Sequence, residues 1–237
     1  MENKKTLWFK ILATILFATA ICIMYIYVIA RGDLPHDALC YACIFLSFIF
    51  SLLFIRRNSK STFITIALGI NVISDYFLVY NLSDENMIPG LCVFLIAQLF
   101  YFLYTFFLTK KLWVRLLNIF SRVVICLVLC LTLTPVLYLG VLENLTIIYI
   151  TNFIISLIFL FTDIKSEWFK IIGFTLFILC DLLVGLYFGG DFIELPSAVE
   201  NFLYLQDWSF ILYIPGNFII SLSTVWKFGR KQTPQTI

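Results

Sequence analysis

The sequence predicts an all-α, polytopic membrane helix bundle of about eight transmembrane helices, and three observations predict it. Of the 237 residues, 62% are hydrophobic and only 13% are charged, whereas a soluble domain is about 25% charged. The apolar stretches run about 18 to 25 residues, which at 1.5 Å per residue matches a hydrocarbon layer of roughly 30 Å. Alternating-polarity segments of about ten residues, the mark of an outer-membrane barrel, do not occur, so the backbone must be satisfied within helices.

The spans follow from apolar runs between charged breaks. The first, near 7–30, comes after Lys4 and Lys5; it is too long for a signal peptide and has no small-x-small cleavage site, so it is expected to remain. Arg56, Arg57 and Lys60 separate a run near 38–55 from one near 62–80, and Asp84 and Glu85 precede the next, near 88–108. Runs near 118–140 and 145–162 are punctuated only by Pro135, Gly140, Glu143 and Asn144, which leaves open a seven-span alternative with one long broken helix. A seventh run lies near 168–188. The long connection 189–205, with Gly189, Gly190 and Pro196, has room for a lid or re-entrant piece before the eighth, near 206–226. Pro215 should bend that last helix or free a carbonyl within it. Gly185 and Gly189 make a GxxxG spacing that suits close helix packing. Residues 1–237 read as one integral membrane domain.

Positive charge sets the orientation, because Lys and Arg in short loops are retained on the cytoplasmic side. In an eight-span arrangement Lys4, Lys5, Lys10, Arg56, Arg57, Lys60, Lys110, Lys111, Arg115, Arg122, Lys165, Lys170, Lys227, Arg230 and Lys231 fall on one side, and Arg31 alone on the other. Both termini are therefore expected in the cytoplasm. The Phe, Ile and Lys richness fits a bacterial plasma membrane. A net charge of +2, with no basic stripe, argues against a nucleic-acid partner. The seven cysteines lie in or beside apolar runs and do not make a disulfide framework. His, Cys and carboxylates do not cluster at ligand spacing, so no metal or other cofactor is expected.

Ionisable groups at membrane depth are costly, and two carboxylates sit well inside spans: Asp75 in the third and Asp181 in the seventh. Their surroundings are alike, Ile-Ser-Asp-Tyr-Phe-Leu against Leu-Cys-Asp-Leu-Leu-Val, with four spans between them. That spacing suggests two parallel four-helix half-repeats, 1–110 and 111–230. Asn71 lies one turn before Asp75. Gln98, Tyr101 and Thr105 share a face of the fourth span; Tyr149, Asn152 and Ser156 one of the sixth; Tyr213, Asn217 and Ser221 one of the eighth. A polar cavity among spans three, four, six, seven and eight, opening outward, would accommodate them. Helix-to-helix hydrogen bonding is the competing explanation for the amides and hydroxyls. It serves less well for the aspartates, since an amide would do the same at lower cost.

Two stretches carry a resemblance. Ser74-Asp75-Tyr76-Phe77-Leu78, followed by Pro89-Gly90-Leu91-Cys92-Val93-Phe94-Leu95-Ile96-Ala97-Gln98-Leu99-Phe100-Tyr101, resembles the first motif of the YhhN-type lysoplasmalogenase family. Phe177-Ile178-Leu179-Cys180-Asp181-Leu182-Leu183 and Tyr213-Ile214-Pro215-Gly216-Asn217 resemble its second. The resemblance covers about residues 60 to 226. It implies an integral membrane hydrolase that cleaves the vinyl ether bond of a lysophospholipid substrate to a fatty aldehyde and a glycerophospho-alcohol, with Asp75 and Asp181 as the acidic pair. Gln98 stands where the family usually has histidine, Asn217 where it has glutamine and Ser74 where it has glycine. Asn71, Gln98, Tyr101, Tyr149, Asn152, Tyr213 and Asn217 are the candidate substrate-binding residues. The same residues would also suit a catalytically inactive relative that binds a membrane lipid or small solute, or a proton-coupled transporter.

Overall fold

The computed structural model describes residues 4–30, 36–55, 60–81, 83–188 and 208–226. Among them the chain is all helical. Its elements are α1 (Lys4–Ala30), α2 (His36–Leu53), α3 (Ser61–Asp75) continued by a π-helical turn (Tyr76–Tyr80), α4 (Asp84–Leu108), α5 (Leu112–Leu137), α6 (Val141–Leu160), a 3-10 turn (Phe161–Asp163), α7 (Ile164–Phe188) and α8 (Trp208–Val225). Each falls on one of the eight apolar runs. Five stretches are long and apolar enough to cross a membrane: Lys4–Ala30, Ser61–Tyr80, Glu85–Leu108, Leu112–Leu137 and Val141–Leu186, the last of which holds both α6 and α7. Asp37–Leu53 and Ser209–Val225 are shorter apolar helices. The connection 189–205 and Gly189 lie outside the described residues.

The stretch 112–160 is two helices, α5 and α6, where one long broken helix was the alternative. Tyr138 is left-handed at φ 53° after α5, and the chain turns back on itself there. Arg122 on α5 reaches the Asn152 carbonyl on α6 at 2.8 Å, and Thr134 donates to Asn144 Oδ1 at 2.6 Å. α6 and α7 also reverse across the 3-10 turn, because the Phe153 and Phe177 rings meet edge to face at 5.2 Å.

The most extensive helix pairs are α3 with α4 and α7 with α8. α2 lies against α8 as α6 lies against α4, and α1 packs on α2 as α5 packs on α6. Lipid is as apolar as leucine, so close packing and internal hydrogen bonds, not exclusion from water, hold such helices together. A ring cluster supplies much of this: Tyr101, Phe153, Phe174 and Phe177 are fully buried, with centroids 4.8 to 5.6 Å apart along the stack. Closest approach is at Gly173, where an added Cβ would lie 2.5 Å from Ile220 and 3.1 Å from the Gly216 carbonyl. Gly185 has open space around it instead, so the close packing expected of the GxxxG spacing belongs to Gly173 and Gly216.

Pro215 carries no N–H, so the carbonyl of Ile211 one turn earlier loses its helical partner. Tyr25 of α1 donates to that carbonyl at 3.0 Å. Trp226 Nε1 donates to Thr14 at 3.0 Å, giving α1 a second attachment beside α8.

Candidate active site

Asp75 is the last residue of α3, where the helix widens into the π turn, and it is buried. Tyr213 of α8 donates to its Oδ2 at 2.7 Å. Asp181 of α7 lies within electrostatic range of Asp75, and its Oδ2 is buried with no hydrogen-bond partner among the described residues. Tyr149 of α6 is buried within range of Asp181. Four helices thus bring the two carboxylates and their tyrosines to one place.

Local sequence accounts for this positioning. Ser74, beside Asp75, donates to the Gly90 carbonyl at 2.8 Å and fixes the end of α3 against the start of α4. A Cβ at Gly90 would fall 2.6 Å from the Leu78 side chain, so glycine there lets the π turn sit against α4. Phe177 presents its ring edge-on to Tyr213 at 4.5 Å, and Phe94 packs against Tyr149 at 5.3 Å. These rings hold the tyrosines without competing for their hydroxyl groups.

Around the pair, polar groups are buried and unmatched. Asn71 donates to the Tyr101 hydroxyl at 3.1 Å, leaving its Oδ1 without a partner. Asn217 donates to the Tyr213 carbonyl at 3.2 Å. Because a carbonyl can only accept, that bond fixes the amide orientation and leaves Asn217 Oδ1 unpartnered. Gln98, one turn before Tyr101 on α4, has neither amide atom bonded among the described residues. An unpartnered buried polar group costs about 1–3 kcal/mol, so a cluster of them is a liability that packing alone would remove. Asn71, Gln98 and Asn217 are at most 2% exposed: this centre is closed among the described residues, where an outward-opening cavity was expected.

Asn152 does not join this group. It faces α5, where its carbonyl and Oδ1 accept from Arg122 at 2.8 and 3.0 Å, and Ser156 accepts from the same guanidinium at 2.9 Å. Arg122 also donates to Asn118 Oδ1 at 2.9 Å and stacks over the Phe102 ring at 4.9 Å. It is 7% exposed. Sequence reasoning counted it as a topological charge at a membrane edge. A third polar group, Glu167, also escaped notice: it accepts from Tyr104 at 2.5 Å and pairs with Lys170 at 2.8 Å, buried between α4 and α7. The signal for both lay in the sequence only as charges near the ends of apolar runs.

The family model described as the YhhN family matches residues 38–224. Neither a curated protein nor a solved structure is matched by the chain.

Proposed function

The chain belongs to the YhhN family, and on that premise we propose that it is a lysoplasmalogenase-like hydrolase using Asp75 and Asp181 as an acid and base pair. The observation that carries the proposal is the unequal treatment of the two carboxylates. Tyr213 donates to Asp75, which favours its ionised form. No donor among the described residues is directed at the buried Oδ2 of Asp181, so the shared proton belongs there.

In this reading Asp181 transfers its proton to the alkene carbon remote from the ether oxygen. The C=C bond becomes a C–H bond and an oxocarbenium ion forms, its charge facing the Asp75 carboxylate. Asp75 then takes a proton from water as the water oxygen bonds to the cationic carbon, giving a hemiacetal. In the collapse of the hemiacetal Asp181, now ionised, takes the hydroxyl proton and Asp75 returns its proton to the departing ether oxygen, so the C–O bond breaks, aldehyde and alcohol leave, and both carboxyl groups regain their starting forms. Paired carboxylates divide the work of glycoside hydrolysis in the same way. The free oxygens of Asn71 and Asn217 and the Gln98 amide would orient the water and the glycerol hydroxyls, and the chain would lie among Phe and Leu side chains. Because this centre is closed among the described residues, substrate admission would involve displacement of the helices around it.

Eight spans, arranged as half-repeats 1–110 and 111–230 with both termini cytoplasmic, form the architecture that goes with this reading. It is supported by the matching pairings of α3 with α4 and α7 with α8, and of α2 with α8 and α6 with α4. The positive-charge pattern supports the orientation, and a bacterial plasma membrane is the proposed location.

The test is aldehyde release from a lysoplasmalogen by the purified protein in detergent, beside folded Asp75→Asn and Asp181→Asn variants. Release that vanishes in both supports the pair. A wild-type protein inactive across head groups and pH would refute the hydrolase and favour a binder or transporter on the same bundle.

A further inference from the structure

Hydrolysis by the two carboxylates leaves a buried thiol beside them unused. Cys180 precedes Asp181 on α7 and is 4% exposed. It follows Phe177 by three residues, which puts both side chains on one face of the helix, and the Phe177 ring meets that of Tyr213 at 4.5 Å. Tyr213 in turn donates to Asp75. Cys180 belongs to the same cluster of buried residues as Tyr149 and Tyr213, and it lies within electrostatic range of Asp75, Asp181 and both tyrosines. The thiol therefore stands inside the site. A buried cysteine is ordinarily a small apolar residue, and Cys43 is one, packed between α1 and α2 with its sulfur 3.6 Å from that of Met24. Cys180 differs in having an acid and a base about it. The adjacent Asp181 Oδ2 is buried without a partner, and Gln98, 2% exposed, has neither amide atom bonded among the described residues. Such groups call for a ligand that brings an oxygen to them.

We infer that Cys180 is a covalent binding site for a long-chain aldehyde, which it holds as a hemithioacetal. Asp75 takes the thiol proton as sulfur bonds to the carbonyl carbon; the C=O bond becomes a C–O single bond, and Asp181 gives its proton to that oxygen. No oxidant or reductant is consumed, and the reverse steps free the aldehyde. Activation of a thiol needs a base within reach, and addition to a carbonyl needs an acid at the oxygen. The two carboxylates supply both. Confinement helps further, because a carbonyl held beside the sulfur adds to it as in an intramolecular reaction. That the aldehyde is made in this same centre rests on the hydrolase reading; its capture does not. With both, the alcohol leaves first and the reactive aldehyde last, since the alcohol has no carbonyl for the thiol to hold.

The probe is a long-chain saturated aldehyde isotopically labelled at its carbonyl carbon, added to the full chain in detergent and followed by carbon NMR. The wild-type protein is expected to convert the carbonyl resonance to that of a carbon bearing one oxygen and one sulfur. This signal should be lost in Cys180→Ala and in Cys180→Ser, which nearly keeps the side-chain volume, and kept in Cys92→Ser, which removes an exposed thiol. A carbonyl resonance left unchanged by the wild-type protein, or a hemithioacetal signal that survives in both Cys180 variants, would overturn the site. Hemithioacetal formation without aldehyde release from a lysoplasmalogen keeps the site and sinks the hydrolase. Aldehyde release by a protein that leaves the labelled carbonyl unchanged does the reverse.

Discussion

Two buried polar centres lie in this bundle, and they are built in opposite ways. Around Arg122 nearly every donor has an acceptor: Asn118, Asn152 and Ser156 take the guanidinium bonds at 2.8 to 3.0 Å, and Phe102 covers its face. Around Asp75 and Asp181, oxygens of Asn71, Asn217 and Asp181 and both amide atoms of Gln98 have no partner among the described residues. A saturated network ties helices together. An unsaturated one stores binding capacity at a cost in stability, and that imbalance separates a site from a joint.

The largest effect that would sharpen the contrast is on turnover. Asp75→Asn or Asp181→Asn should lower aldehyde release by at least about 100-fold while the unfolding temperature in detergent moves little; loss of folding instead would break the comparison. Arg122→Leu should do the opposite. It strands the Asn118 and Asn152 oxygens and should cost about 1–3 kcal/mol of stability, read by thermal unfolding, with kcat/KM of the folded fraction nearly unchanged. Tyr213→Phe removes the donor to Asp75 and should reduce kcat about tenfold, a hydrogen bond to a charged group contributing about 1.5–3 kcal/mol. Gln98→Leu offers a sharper view, since discarding an unmatched amide should raise stability by about 1 kcal/mol as activity drops, the trade expected of a functional residue. A Gln98→Leu protein that loses stability would show that the amide has partners. Smallest is Asn152→Ala, expected to cost about 0.6 kcal/mol and to leave KM for the lysolipid unchanged.

Much of this was legible in the residues. Apolar runs located each of the described α-helices, because the length of a run and its charged flanks are local properties. The aspartate pair stood out for the same reason that it is costly: a carboxylate within a run has few structural excuses. What escaped depended on distant neighbours. Tyr149 and Asn152 are three residues apart and seemed to share a face, yet three residues turn a helix by about 300°, enough to send Tyr149 toward Asp181 and Asn152 toward Arg122. Arg122 looked like an edge charge and Glu167 drew no reading, because nothing near them in sequence announces the helix that covers them. The Tyr101–Asn71 bond, by contrast, joins residues that the pattern had already set on facing polar sides.

The attachment of α1 to α8 bears on how the chain is assembled. Tyr25 ties α1 to the Ile211 carbonyl, which Pro215 leaves without a helical partner, and Trp226, just after α8, donates to Thr14 of α1. The first bond cannot form until residue 211 has been made, nor the second until residue 226, so α1 is synthesised long before either of its partners. A product truncated before α8 would present a Tyr25 hydroxyl with no Ile211 carbonyl to receive it.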